Sequence, residues 1–205
     1  MGQSNSQSSE DNISFDKQDG TNKNNKLSEK ELADIKIFKS AIIQGNLKVF
    51  KYMVSKGIDV HLDNEFAFKY ACAHGYLKIV KFIFNKGIDI DICNKYGLKN
   101  STEGGHIDVV NFLLAKKNIS ISDNILINTA TRGHVEVVKI LLKHDVNLHA
   151  NNDCALRWAA ESNHIDVVKV LLHAGADIHA DNDYVINISK RYGYTELEKL
   201  FETLI

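Results

Sequence analysis

Apolar and polar residues along this chain follow two nested periods. Within short segments the apolar positions recur at three and four residues, the spacing of one helix face. The whole arrangement then returns after about thirty residues. Aligned on one column of turn residues (Gly45, Gly75, Gly105, Gly133, Asn163 and Gly193), the units stand 30, 30, 28, 30 and 30 residues apart. A repeat of this length predicts a solenoid, in which each unit buries its apolar face against its neighbours.

Counting positions from the turn residue gives each column a physical meaning. A large apolar residue stands at −7: Phe38, Phe68, Leu98, Leu126, Leu156 and Ile186. A small one stands at −4: Ala41, Ala71, Ser101, Thr129, Ala159 and Ser189. The two positions share a helix face, and the small side chains allow neighbouring helices to approach closely. After the turn, a second helix carries apolar residues at +4, +7 and +8, as in Val167, Val170 and Leu171. Gly57, Gly87 and Gly175 mark where that helix ends. Alternating stretches such as Ile58-Asp59-Val60-His61 follow and predict short extended links.

The pattern A-A-x-x-[GN]-H-[IV]-[DE]-V-V-K-x-L-L-x-x-G-A-D-[IV] resembles the ankyrin repeat. Residues 154–178 carry it most fully, and 126–148 are close. The resemblance extends over roughly residues 30–205, in six units. It implies an all-α solenoid of helix pairs. The usual T-P-L-H opening is replaced here by Phe66-Ala67-Phe68-Lys69, Cys154-Ala155-Leu156-Arg157 and similar tetrads. The period is also shorter than the ~33 residues usual for the family. Turns or short loops are therefore expected instead of β-hairpin fingers. Proline-free arrays of this period resemble those encoded by giant DNA viruses.

The first order signal is the S-x-x-E capping box Ser28–Glu31, with Leu27 and Leu32 at the staple positions. Residues 1–27 before it are polar and predicted to be disordered. The repeat domain is placed at 28–205, with units near 28–60, 61–90, 91–120, 121–148, 149–178 and 179–205. Glu198 and Glu202 replace apolar residues on the last helix and predict a wet end face. With the array running to Ile205, no effector module is expected after it.

The chain has 205 residues, a net charge of −1 and 3 cysteines without CxxC spacing. That balance argues against a dedicated nucleic-acid binder. The cysteines fit a reducing, cytoplasmic setting, that of a host cell if the chain is viral. No apolar run is long enough to span a membrane.

No acid, base and nucleophile gather in the pattern, so no enzyme activity, cofactor or metal is expected. His106, His134 and His164 follow the turns, and His61, His149 and His179 lie in the links. Members of a column stand one repeat apart, too far to share a zinc ion. They are read as hydrogen bonds between adjacent loops. Gly104-Gly105 is the repeat turn, not a phosphate loop, since no G-K-[ST] follows it. Cys72, Cys93 and Cys154 have no paired base and are read as structural. Trp158, the single tryptophan, is read as packing in preference to an interaction hot spot.

Charge is uneven along the chain. Residues 31–120 hold 13 Lys+Arg against 9 Asp+Glu, and residues 121–205 hold 8 against 12. Solvated faces are the plainer reading, and an end-to-end dipole that orients a partner is the other. Met1-Gly2-Gln3-Ser4-Asn5-Ser6 fits the acceptor pattern for myristoylation of Gly2.

The resemblance implies non-catalytic binding of a protein partner, by a monomer, through the concave face. Carried over by position, that face comprises Ala73, His74, Glu103, Thr131, Arg132, Glu161 and Ser162 on the first helices. The link tips Glu65, Lys95, Asp153 and Asp183 complete it. The alternative is an N-myristoylated, membrane-tethered adaptor using the same repeats, with weak membrane association only if Gly2 is acylated.

Overall fold

The computed structural model describes residues 27–204. The tail expected at residues 1–27 lies outside them, except for Leu27, and so does Gly2. Ser28 Oγ accepts the Glu31 N–H at 3.2 Å, and a Glu31 carboxylate oxygen accepts the Ser28 N–H at 2.8 Å. The capping box therefore forms and opens α1 (Glu29–Ile43). Its backbone bond, then its side-chain bond, hold the Glu31 carboxyl below the usual range. Leu27 and Leu32 flank the box but stay half-exposed, outside the core.

Among the described residues, six helix pairs follow one another. α1 pairs with α2 (Leu47–Ser55), and α3 (Leu62–Ala73) with α4 (Leu77–Phe84). In the third unit α5 (Ile90–Ile92), a π-helical stretch (Cys93–Leu98) and α6 (Lys99–Glu103) run together ahead of α7 (Ile107–Leu114). α8 (Asp123–Thr131) then pairs with α9 (Val135–Leu141), α10 (Ala150–Glu161) with α11 (Ile165–His173), and α12 (Ala180–Tyr192) with α13 (Thr195–Glu202). First helices pack side by side in the order α1, α3, α6, α8, α10, α12, while α4, α7, α9 and α11 form a row behind them. The result is a two-layered all-α solenoid, with no strand among the described residues.

Side chains at −7 and +4, +5 and +8 fill the space between the layers. Phe38, Phe68, Leu98, Leu126 and Leu156 are fully buried, as are Ile79, Val80 and Ile83 on α4. All six residues at −4 are buried too. Where that residue is Ser or Thr, its hydroxyl bonds back to its own helix, as Thr129 Oγ1 does to the Ile125 carbonyl at 2.6 Å. This lets a polar residue occupy a site chosen for small size. Ile186, at the far end, is only half-buried, and Glu202 on α13 is exposed.

The links are not extended as the alternation predicts. In three of them the chain winds through consecutive left-handed residues within the first turn of the ranges given for α3, α10 and α12, and regular α-helix begins only after that kink. The left-handed residues are Asp63-Asn64-Glu65, Asn151-Asn152-Asp153 and Asp181-Asn182-Asp183, with φ between 51° and 64°. Asn and Asp tolerate this region best among residues with a Cβ. Each turn is clipped by a histidine on its near side. His61, His149 and His179 donate Nδ1–H to the carboxylates of Glu65, Asp153 and Asp183 four residues on, at 2.9, 3.0 and 2.7 Å.

Candidate functional site

The joints between units decide which side chains are left free. Tyr76, His106, His134, His164 and Tyr194 occupy the position after the turn. Each donates to the backbone carbonyl at −2 of the preceding unit. The acceptors are Ile43, Ala73, Glu103, Thr131 and Glu161, at 3.2, 2.7, 2.8, 2.9 and 3.1 Å. A carbonyl only accepts, so the three histidines carry their proton on Nε2. The turn residue of the preceding unit is glycine under Tyr76 and the three histidines, and Asn163 before Tyr194. Gly75 has φ +71°, and a Cβ there would lie 2.6 Å from His106 Nδ1. The turn histidines thus tie adjacent units, as the sequence leads one to expect. The link histidines differ, because each bonds within its own unit.

A second set of joints runs along the link side of the first helices, at −6. Lys39 pairs with Asp63 of the next unit and lies over Phe66, 5.8 Å from its centroid. Lys69 lies 4.1 Å over Tyr96. Arg157 pairs with Asp181 and lies 5.5 Å over Tyr184. Tyr184 also donates its hydroxyl to Glu161 at 2.7 Å. That bond, with burial and the Glu161 charge, pushes the Tyr184 phenol above its ordinary range.

These joints sort the residues expected on the concave face. Asp153 must be corrected: it is 5% exposed, accepting from His149 and from the Asp177 N–H at 3.1 Å, so it braces two links and presents no surface. Glu65 is held by His61, and Glu161 by Tyr184. Glu103 accepts from Asn128 at 3.1 Å and pairs with Arg132 at 3.5 Å, while its carbonyl takes the His134 proton. Ala73 and Thr131 give their carbonyls to the next unit. His74 is exposed and stacked on Tyr70 at 3.9 Å. Lys95, Arg132, Ser162 and Asp183 are exposed, Asp183 while bonded to His179.

One residue gains importance. Trp158, expected to pack, is 45% exposed at −5 on α10. The same position holds Asn100 and Asn128 in the third and fourth units, where the amides bond back to the preceding unit. Indole, in the fifth, is left in solvent on α10, as are Arg132 on the fourth unit and Tyr192 on the sixth.

The cysteines fit their structural reading. Cys72 and Cys93 are fully buried. Burial, and secondarily the proximity of Cys93, push the Cys72 thiol far up. Burial first, then Asp89 and Glu65, push the Cys93 thiol up to about 11.

The family model for ankyrin repeats (3 copies) matches residues 19–94 and 98–182. No curated protein matches the chain.

Proposed function

Since the chain belongs to the ankyrin-repeat family, whose members are in general protein-interaction modules, we propose that it is a non-catalytic module binding a protein partner along its row of first helices. One observation carries this reading: the exposure of Trp158 at a position that the third and fourth units fill with asparagines bonded inward. A large aromatic left in solvent has apolar surface to gain by being covered, and Trp is enriched in interaction hot spots. Arg132, His74 and Ser162 are exposed on the same row and can supply a polar rim. Nothing in the joints between units uses the indole. Affinity capture from the native host cell, with wild type beside Trp158→Ala and Arg132→Glu, tests the proposal. Partners lost with both variants support it, and a full set of partners retained by both would sink it.

The adaptor reading rests on a different observation, the Gly2 acceptor pattern at the start of the sequence. Intact mass after expression in a eukaryotic host tests it. A mass showing unmodified Gly2 removes it.

A further inference from the structure

The second helices of the first two units carry charge that the fold does not explain. α2 and α4 with their ends read Leu47-Lys48-Val49-Phe50-Lys51-Tyr52-Met53-Val54-Ser55-Lys56 and Leu77-Lys78-Ile79-Val80-Lys81-Phe82-Ile83-Phe84-Asn85-Lys86. Neither stretch contains an acidic residue, and all six lysines are exposed. Among the described residues none of the six is in a salt bridge, whereas Lys139 and Lys169 at equivalent positions pair with Glu136 and Glu196. The nearest acid in the same column is Asp108 on α7, which shares a surface depression with Lys78.

Lys48 and Lys78 are the telling pair. They stand at +3, in the first turn of their helices, where the backbone dipole favours a negative charge. Units three to six put Asp108, Glu136, Asp166 and Glu196 at that position. A lysine there works against its own helix, so helix formation does not account for it.

Four of these ammonium groups lie over aromatic rings, held at the surface by cation–π contacts. Lys51 lies 5.3 Å and Lys86 5.7 Å from the Phe82 centroid, Lys81 lies 5.5 Å from Phe112, and Lys56 5.4 Å from Tyr52. The rings fix where the charges sit, and the lysines remain exposed to water. Tyr52, one turn beyond Lys48 on the same face, is itself 56% exposed.

We propose that this lysine face of α2 and α4 rests on an anionic lipid surface. Two features favour a membrane over other polyanions. The face is built of point charges alone: the first arginine in the sequence is Arg132, so the planar fork that suits bases and individual phosphates is absent from it. Tyr52, exposed on α2 beneath Lys56, has the apolar body and polar tip found at membrane–water boundaries. Such binding is electrostatic, weakens with salt and needs no acyl chain. It stands apart from the partner-binding row, since the two surfaces lie on different layers of helices.

The test uses the full chain carrying Gly2→Ala, which removes any acyl contribution. It is sedimented with mixed phosphatidylserine–phosphatidylcholine vesicles and with pure phosphatidylcholine vesicles. Expected are binding to the first only, release at high salt, and loss of binding in Lys48→Gln/Lys51→Gln/Lys78→Gln/Lys81→Gln. At roughly five-fold for each of the four lysines, that loss is on the order of several hundred-fold. Lys139→Gln/Lys169→Gln is expected to bind as the parent does. All substituted side chains are exposed, and matching circular dichroism confirms that each variant folds. Equal binding to both vesicle types, or undiminished binding by the quadruple variant, overturns the proposal. Displacement from phosphatidylserine vesicles by an equal charge of single-stranded RNA, with tighter binding to the RNA, overturns it in favour of a nucleic-acid site.

Discussion

His106 donates its Nε2 proton to the carbonyl of Ala73 across 33 residues of sequence, at 2.7 Å, while its ring closes over Gly75. The same two-part contact recurs along the array and makes the units depend on one another.

A glycine substitution separates the two parts. Gly105 and Gly193 have nearly equal φ, +70° and +66°, but an alanine Cβ at Gly105 would meet His134 at 2.8 Å, whereas nothing lies within 4 Å of one at Gly193. Gly193→Ala is expected to cost about 1 kcal/mol for its backbone conformation. Gly105→Ala is expected to exceed that by roughly 1–3 kcal/mol for the crowding. Urea midpoints of the two variants check this, and equal midpoints would show that the ring contact does not matter.

Removing a donor has a different signature. His164→Ala leaves the Thr131 carbonyl without its bond, and a loss of about 1–3 kcal/mol is expected. In a solenoid this weakens the fourth and fifth units first. Hydrogen exchange should show faster opening of α8 to α11 and little change in α1 and α2.

Asp153 and Asp183 occupy equivalent link positions but should respond unequally. Asp153 is buried and accepts from two neighbours, and Asp183 is exposed with one. Asp153→Ala is expected to destabilise by about 1–3 kcal/mol through the orphaned Asp177 N–H and His149. Asp183→Ala should stay within about 0.5 kcal/mol. Thermal melts of both variants decide whether the buried carboxylate is structural.

The capping box gives a pH effect of known sign. Glu31 has a folded-state pKa below its ordinary 4.5. Its stabilisation is therefore fully present above that value and is lost as the pH falls through the lowered one. Amide exchange of the first turn of α1 should accelerate in that acid window, and Glu31→Gln should remove the pH dependence.

Thiol chemistry should distinguish the three cysteines. Cys154 is partly exposed, whereas Cys72 and Cys93 are buried, with the latter thiol near 11. A disulfide reagent is expected to modify Cys154 in the native protein and the other two only as fast as the array opens. Mass mapping after brief labelling reads the outcome.

The helix pairs, the turns and the buried columns were legible because each is set by a local rule repeated in register. Gly or Asn at the turn, a small residue at −4 and apolar residues at +4 and +8 have one physical meaning wherever they recur. The links were less legible. A single left-handed Asn or Asp is expected from sequence, but runs of three, such as Asn151-Asn152-Asp153, depend on a histidine clip that spacing alone does not reveal. Polarity also misled at Asp153, where hydrogen bonds from two links compensate burial. Trp158 sits one residue from the small column, at a position whose burial varies from unit to unit: Ile188 is buried there and Trp158 is not. The lysine face of α2 and α4 was hidden because charge summed over half the chain does not show which column holds it.

The fourth unit is two residues shorter than its neighbours, yet its joint is intact: 31 residues separate Glu103 from His134 where 33 is the rule, and the bond is still 2.8 Å. The missing residues come out of the link, where α8 starts without the left-handed turn found at Glu65 or Asp153. Length changes are therefore absorbed in the links, while excision of a whole unit preserves the pattern of turn joints, though not the Lys69–Tyr96 contact. Removing residues 76–105 would seat His106 on Gly45 with its partner carbonyl, Ile43, already in place. The array can thus be shortened or duplicated in whole repeats with the same kind of turn joint at every seam.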